Sequence, residues 1–307
     1  MRNESTRVVY ELIQKDRNVL AVTADQKNEI YERIRQENPT QYIDYGISEC
    51  NMVASCAGLA AIGKIPFLYT VTNFMAMRAF EFIRDSVCVP KANVKFLGRS
   101  TGLVCGALGM THAGTEDMAI LRSLPNLLVV TPATPLEARQ AAEYAYKHQG
   151  PVYIRLEGYN EPEHYVEAPS FKPGCGHCLL KGNDLSIITM GSIVNEALMA
   201  ADILRQEYGI AAEILSLSTL RPTDEALICA TATKTGLVMT VEEHTVYGGL
   251  GSTVAEVLAE QGVAAKLKRM GFMEFSHGCG NREEMRQQNG FTAMDIVREA
   301  RSFREAQ

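Results

Sequence analysis

Short apolar runs of strand length alternate with longer helical runs along almost the whole of this chain. That alternation constrains the fold more than any single motif, because strands separated by helices return to one sheet as parallel crossovers. Val19 to Thr23, Pro66 to Val71, Val94 to Gly98, Leu127 to Thr131 and Pro151 to Leu156 have strand character. Between them, Asn51 to Gly63, Phe74 to Val87, Thr115 to Ser123 and Pro135 to Lys147 have helical character, and Leu124-Pro125-Asn126 stops the third. Glu157 to Pro173 then carries Gly, Asn and three prolines amid charges, which is linker chemistry. A second series follows, with strands at Leu185 to Met190, Ala211 to Ser216 and Thr235 to Val241 and helices at Gly191 to Glu207, Thr223 to Ala232 and Thr253 to Gln261. In the first of these helices Val194, Ala197, Leu198, Ala201 and Leu204 recur at helical spacing. The expected fold class is α/β, with two domains that are each a mostly parallel sheet flanked by helices. The expected boundaries are 1–163, a linker at 164–179, and 180–307.

A length of 307 residues suits two domains, and 46% hydrophobic with 21% charged residues is ordinary for a soluble globular chain. A net charge of −6 without a basic cluster excludes nucleic acid as the main partner. The apolar runs fall well short of the roughly 18 residues that a membrane span needs. Met1 to Arg7 contains no apolar secretory core, so the expected location is cytoplasmic. Eight scattered cysteines are then expected as reduced, buried thiols. Cys175-Gly176-His177-Cys178 has redox or zinc spacing, but a redox pair wants a helix N-terminus after its first thiol and a zinc site wants four ligands. Here Leu179 to Asp184 reads as strand and turn, so the pair is expected to be incidental.

The segment Ile43-Asp44-Tyr45-Gly46-Ile47-Ser48-Glu49-Cys50-Asn51-Met52 sets one carboxylate, Glu49, between an apolar run and a helix of small residues. Such a carboxylate can be held out of water, protonated or paired, and serve as an acid–base group. A Glu placed there for the helix dipole is the plain alternative.

The string G-I-S-E-x-N-M, followed by G-K-I-P-F, T-x-x-N-F, T-H-A-G-T-E-D and R-S-L-P-N, resembles the C-terminal half of transketolase. V-E-E-H-T-V-Y-G-G-L-G-S resembles the last domain of the same family, so the likeness runs from about Arg7 to Ala300. The resemblance implies the C-terminal subunit of a split transketolase, which moves a two-carbon ketol unit from a ketose to an aldose on thiamine diphosphate. It implies that Glu49 contacts the aminopyrimidine ring and promotes proton removal, and that Phe74 stacks on that ring. Val71 stands where the family has a second aromatic. Asp25 matches an aspartate near the cofactor, His112 a histidine that contacts sugar hydroxyls, and Arg7 an arginine that holds a substrate phosphate.

The departures from the family pattern lie on the substrate side. Leu108, in Gly106-Ala107-Leu108-Gly109, replaces an Asp that reads a sugar hydroxyl. Ser100, beside Arg99, replaces a phosphate-binding His, and Glu157-Gly158-Tyr159 stands where an Arg is usual. An atypical sugar is therefore expected, with Arg99 and Arg7 as the remaining cations. No Gly-Asp-Gly occurs, so Mg²⁺ and the diphosphate are expected to be held mainly by a separate N-terminal subunit in an α2β2 heterotetramer, and no metal site is expected in this chain. The beta subunit of a 2-oxo-acid dehydrogenase, a deoxyxylulose-phosphate-synthase-like enzyme and a non-catalytic homologue are the alternative readings.

Overall fold

All eight predicted apolar runs become strands, each with at least one parallel neighbour and with most of its residues buried. In the computed structural model, which describes residues 1–26, 28–158, 161–165 and 169–306, the chain divides into two compact units. The first comprises 1–101 and 120–171, the second 102–119 and 172–307. Residues 102–119, which the sequence reading places in its first domain, thus belong to the second unit.

The first unit contains β1 (Val19–Thr23), β2 (Tyr42–Asp44), β3 (Ile65–Val71), β4 (Lys95–Arg99), β5 (Leu128–Val130) and β6 (Val152–Leu156). They lie in the order β5-β6-β4-β3-β1-β2, every neighbouring pair parallel. Continuous apolar runs such as Val19 to Thr23, with all five residues buried, are what a sheet covered on both faces requires. Helices Arg2–Ile13 and Pro135–Lys147 supply Val8, Val9, Ala138, Ala141 and Ala145 to a core shared with Val19, Phe67 and Ile154. Gly98 lies where strands crowd. A Cβ there would sit 2.3 Å from Thr72 Oγ1 and 2.5 Å from the Tyr153 ring, a space only glycine leaves open.

The expected single helix over Phe74 to Val87 is replaced by two wide π-helical turns, Phe74–Arg78 and Ile83–Cys88, around a short α-turn, Phe80–Phe82. Ala79, at φ −97° and ψ 18°, leaves helical geometry and divides the segment, a break that apolar spacing does not encode.

The second unit contains β7 (Gly176–Leu180), β8 (Leu185–Thr189), β9 (Ala212–Leu217), β10 (Thr219–Arg221), β11 (Leu237–Thr245) and β12 (Lys266–Phe272). Five of them form a sheet in the order β12-β11-β8-β9-β7, with only β7 antiparallel to its neighbour. Helices Val194–Tyr208 and Ala293–Glu305 pack Ala197, Leu204, Ile296 and Ala300 onto Ile187, Ile214 and Met239. β7 begins inside the stretch 164–179. Cys178 lies on β7 and Cys175 just before it; at about 3.3 Å per residue their Cα atoms stand too far apart for a disulfide. Both are free thiols; Cys56 and Cys88 are buried as expected, whereas Cys178 and Cys279 are exposed. No helix among the described residues is long and apolar enough to cross a membrane.

Candidate active site

In an open parallel sheet, ligands bind outside the carboxyl ends of strands where the strand order reverses direction. In the first unit that point lies between β1 and β3. The chain leaves β1 for β2 on one side, then crosses to β3 on the other. Asp25 follows β1, and Val71, Thr72, Asn73 and Phe74 end or follow β3. Topology therefore places three of the sequence-predicted residues at the edge where chemistry is expected.

Glu49 opens the helix Glu49–Ala61 on the connection from β2 to β3, and only 2% of it is exposed. Ser48, at the N-cap, makes no side-chain capping bond. Arg78 Nη1 lies 2.9 Å from Glu49 Oε2, and the Arg78 guanidinium lies 5.0 Å from the centre of the Phe74 ring. Among the described residues, Glu49 Oε1 accepts no hydrogen bond. Glu49 and Phe74, named from sequence 25 positions apart, are thus joined by one cation, Arg78, that is not among the residues singled out from sequence. The Arg78 side chain is 51% exposed, so the pair is closed by a residue that can withdraw to solvent. The site fits a polar heterocycle: a buried carboxylate has one oxygen unengaged and a half-buried aromatic stands beside its counter-ion. Val71 is buried at the end of β3.

Asp25 has φ +49°, two residues past the end of β1, and Ser100 has φ +63°, directly after β4. Left-handed backbone at non-glycine residues is uncommon, and it gathers where surroundings over-determine a functional geometry. The Asp25 N–H donates to Asp44 Oδ1 at 3.0 Å, and the Gly46 N–H donates to the same oxygen at 2.9 Å, which ties the exits of β1 and β2 together. Arg7 and Asp25 share a cleft of about 950 Å³ with Arg2, Asn28, Arg35 and Asp44. Arg7 is exposed and ion-paired to Glu4.

Arg99 ends β4, in register with Val71 and Leu156, and its Nε donates to Ser100 Oγ at 3.0 Å. Among the described residues it has no carboxylate partner, while Ser100 is buried. Glu157 forms an ion pair with Arg155 and both are 1% exposed, so the carboxylate that stands near the family's Arg position is neutralised within the chain. Tyr159 lies outside the described residues.

Leu108 and His112 belong to the second unit. Leu108 is 59% exposed on the turn Gly106–Leu108. His112 Nδ1 lies 3.0 Å from Thr111 Oγ1, and the His112 N–H donates to Gly109 O at 3.0 Å.

The V-E-E-H stretch ends β11 as three ionisable residues buried in succession, Glu242, Glu243 and His244. Glu242 accepts from the N–H groups of Leu250 and Gly251 at 2.7 and 2.8 Å and so caps the helix Leu250–Glu260. Burial opposes the charge on Glu243, but the guanidinium groups of Arg286 and Arg282 outweigh it and hold its carboxyl below the ordinary range. Arg286 also reaches Glu196 Oε1 and Ser192 Oγ, each at 3.1 Å. In the sequence this motif stands out only by its family likeness. The available signal was three ionisable residues closing an otherwise apolar strand.

Residues 1–160 match the model of the transketolase pyrimidine binding domain, and residues 174–296 match that of the transketolase C-terminal domain. The chain is 36% identical over 306 residues to a 6-deoxy-6-sulfo-D-fructose transketolase subunit, SqwH, of Clostridium sp. (strain MSTE9), covering 99% of this chain and 94% of the relative. It is 34% identical over 304 residues to an apulose-4-phosphate transketolase subunit of Phocaeicola vulgatus, covering 98% and 96%. Among solved structures, a split gene transketolase described as an inactive beta4 tetramer aligns with a TM-score of 0.87 at 35% identity, over 99% of this chain and 97% of that one.

Proposed function

Because this chain belongs to the transketolase family, we propose that it is the C-terminal subunit of a two-chain enzyme that transfers a two-carbon ketol unit from a ketose to an aldose. Bound thiamine diphosphate supplies the electron sink for cleavage beside the donor carbonyl. Glu49 carries this reading, since it is a buried carboxylate at the switch point with one oxygen unengaged. Glu49 Oε1 would hold and move a proton at the pyrimidine N1′, Phe74 would lie against the ring, and Val71 and Asp25 stand at the same sheet edge. The sequence lacks Gly-Asp-Gly, which supports a separate chain as the holder of Mg²⁺ and the diphosphate; the assembly proposed has two copies of each chain.

On the substrate side, the family likeness assigns Arg99 and Arg7 of the first unit to an anionic group and, separately, His112 of the second unit to a hydroxyl. Ser100 and Leu108 remove an ordinary phosphate contact and an ordinary hydroxyl contact. The substrate class that follows is an acidic sugar of unusual skeleton or head group, in accord with the sulfonated ketose and the apulose phosphate in the relatives' names.

The test is the reconstituted two-chain complex with cofactor and Mg²⁺, assayed with xylulose 5-phosphate and with 6-deoxy-6-sulfo-D-fructose as donors. Glu49→Gln is expected to assemble normally while kcat falls by ~10²–10⁴, the range for loss of one acid–base group. Near-normal turnover in this variant would place the acid–base group elsewhere.

A further inference from the structure

Residues 102–119 form a segment whose base is closed by the Gly102 N–H donating to Gly114 O at 2.8 Å. The last residues of β11 grip this segment at three points. The Leu103 N–H donates to Glu243 Oε2 at 3.2 Å. The Ala119 N–H donates to His244 Nε2 at 3.3 Å. The Thr245 N–H donates to Thr115 O at 2.7 Å.

The imidazole of His244 is committed on both sides. Its Nδ1 lies 2.8 Å from Thr245 O, and a carbonyl only accepts, so Nδ1 carries the proton and Nε2 offers a lone pair. That tautomer is the one the Ala119 N–H requires. Glu243 is fixed in turn by Arg286, which Glu196 and Ser192 hold from the helix side. The segment so gripped carries both Leu108 and His112.

We infer that Glu243 and His244 are positioning residues, which hold the segment 102–119 so that His112 meets the substrate in one geometry. This rests on the reading of His112 as a substrate contact. Displacement of a contact group by about 1 Å can cost ~10²-fold in rate, so a remote clamp has kinetic leverage.

The experiment uses the two-chain complex and whichever of xylulose 5-phosphate and 6-deoxy-6-sulfo-D-fructose turns over faster. His244→Asn keeps a donor near the Nδ1 position and loses the acceptor for Ala119, whereas His244→Gln restores an oxygen near the Nε2 position. His244→Asn is expected to lower kcat/KM by ~10–100-fold, and His244→Gln to recover most of it. In a His112→Ala background, His244→Asn is expected to cost less than about threefold, because a residue acting through His112 has nothing left to position. Deuterium exchange is expected to quicken in residues 103–119 ahead of the rest of the second unit. Equal cost in both backgrounds, or exchange that quickens uniformly across the unit, would overturn the proposal alone. A silent His112→Ala, or a complex that turns over neither donor, would overturn the functional reading and the proposal with it.

Discussion

Arg99 ends its strand half-buried, with a neighbouring hydroxyl as its hydrogen-bond partner and no carboxylate among the described residues to neutralise it. A cation in that state is available to an anionic group, and a charge-assisted bond of this kind contributes about 1.5–3 kcal/mol. Arg99→Ala in the two-chain complex is therefore expected to raise KM for an anionic donor by ~10–100-fold with a smaller change in kcat. A KM within about threefold of the parent would remove Arg99 from substrate binding. Glu49 shows the converse condition. Its partner Arg78 comes from 29 residues away and from a different element, so burial of the carboxylate costs less than it would unpaired. The left-handed backbone at Asp25 and Ser100 belongs to the same scale, since each lies within two residues of the end of a parallel strand.

At the scale of elements, strand β4 is stapled at its start. Lys95 is wholly buried and donates from Nζ to His148 O at 2.8 Å and Gly150 O at 2.6 Å, which ties β4 to the turn before β6. Burial pushes its ammonium down to about 7. Between that value and the ordinary lysine range the unfolded chain holds a proton that the native chain has released, so stability rises with pH through this window. Melting temperatures measured from about pH 7 to 10 are expected to show this rise. In Lys95→Met the rise should flatten, although that variant is less stable overall because two carbonyls lose their donor. An unchanged slope would mean that Lys95 keeps its proton when folded. The π-helical turns at Phe74–Arg78 and Ile83–Cys88 are a second feature of this scale, and such turns are frequent at functional sites. Here the first turn contains both Phe74 and Arg78, the aromatic and the cation of the Glu49 cluster.

At the scale of the whole molecule, the chain carries the pyrimidine-side residues and lacks the Gly-Asp-Gly signature for the other end of the cofactor. Half a binding site captures half of the contacts but bears the full entropic cost of immobilising the ligand. The isolated chain is expected to bind thiamine diphosphate with Mg²⁺ more weakly than about 1 µM in calorimetry and to show no turnover. Affinity tighter than that, or activity without a second chain, would refute the two-chain reading.

The sequence by itself determined the α/β class, most strand positions and the motif around Glu49. Parallel strands buried on both faces must be apolar throughout, and that requirement is local. It also showed which substrate contacts depart from the family pattern, because each departure is a change of residue type. The tertiary structure alone decided which charges meet. Arg78 reaches Glu49 across 29 positions, Arg286 reaches Glu243 across 43, and Glu243 reaches the Leu103 N–H across 140. Apolar periodicity records which face is buried and carries no information on which buried ion finds which partner. The membership of residues 102–119 in the second unit has the same origin: backbone N–H and C=O groups at residues 103, 115 and 119 are satisfied by residues 243–245, and only folding brings those groups together.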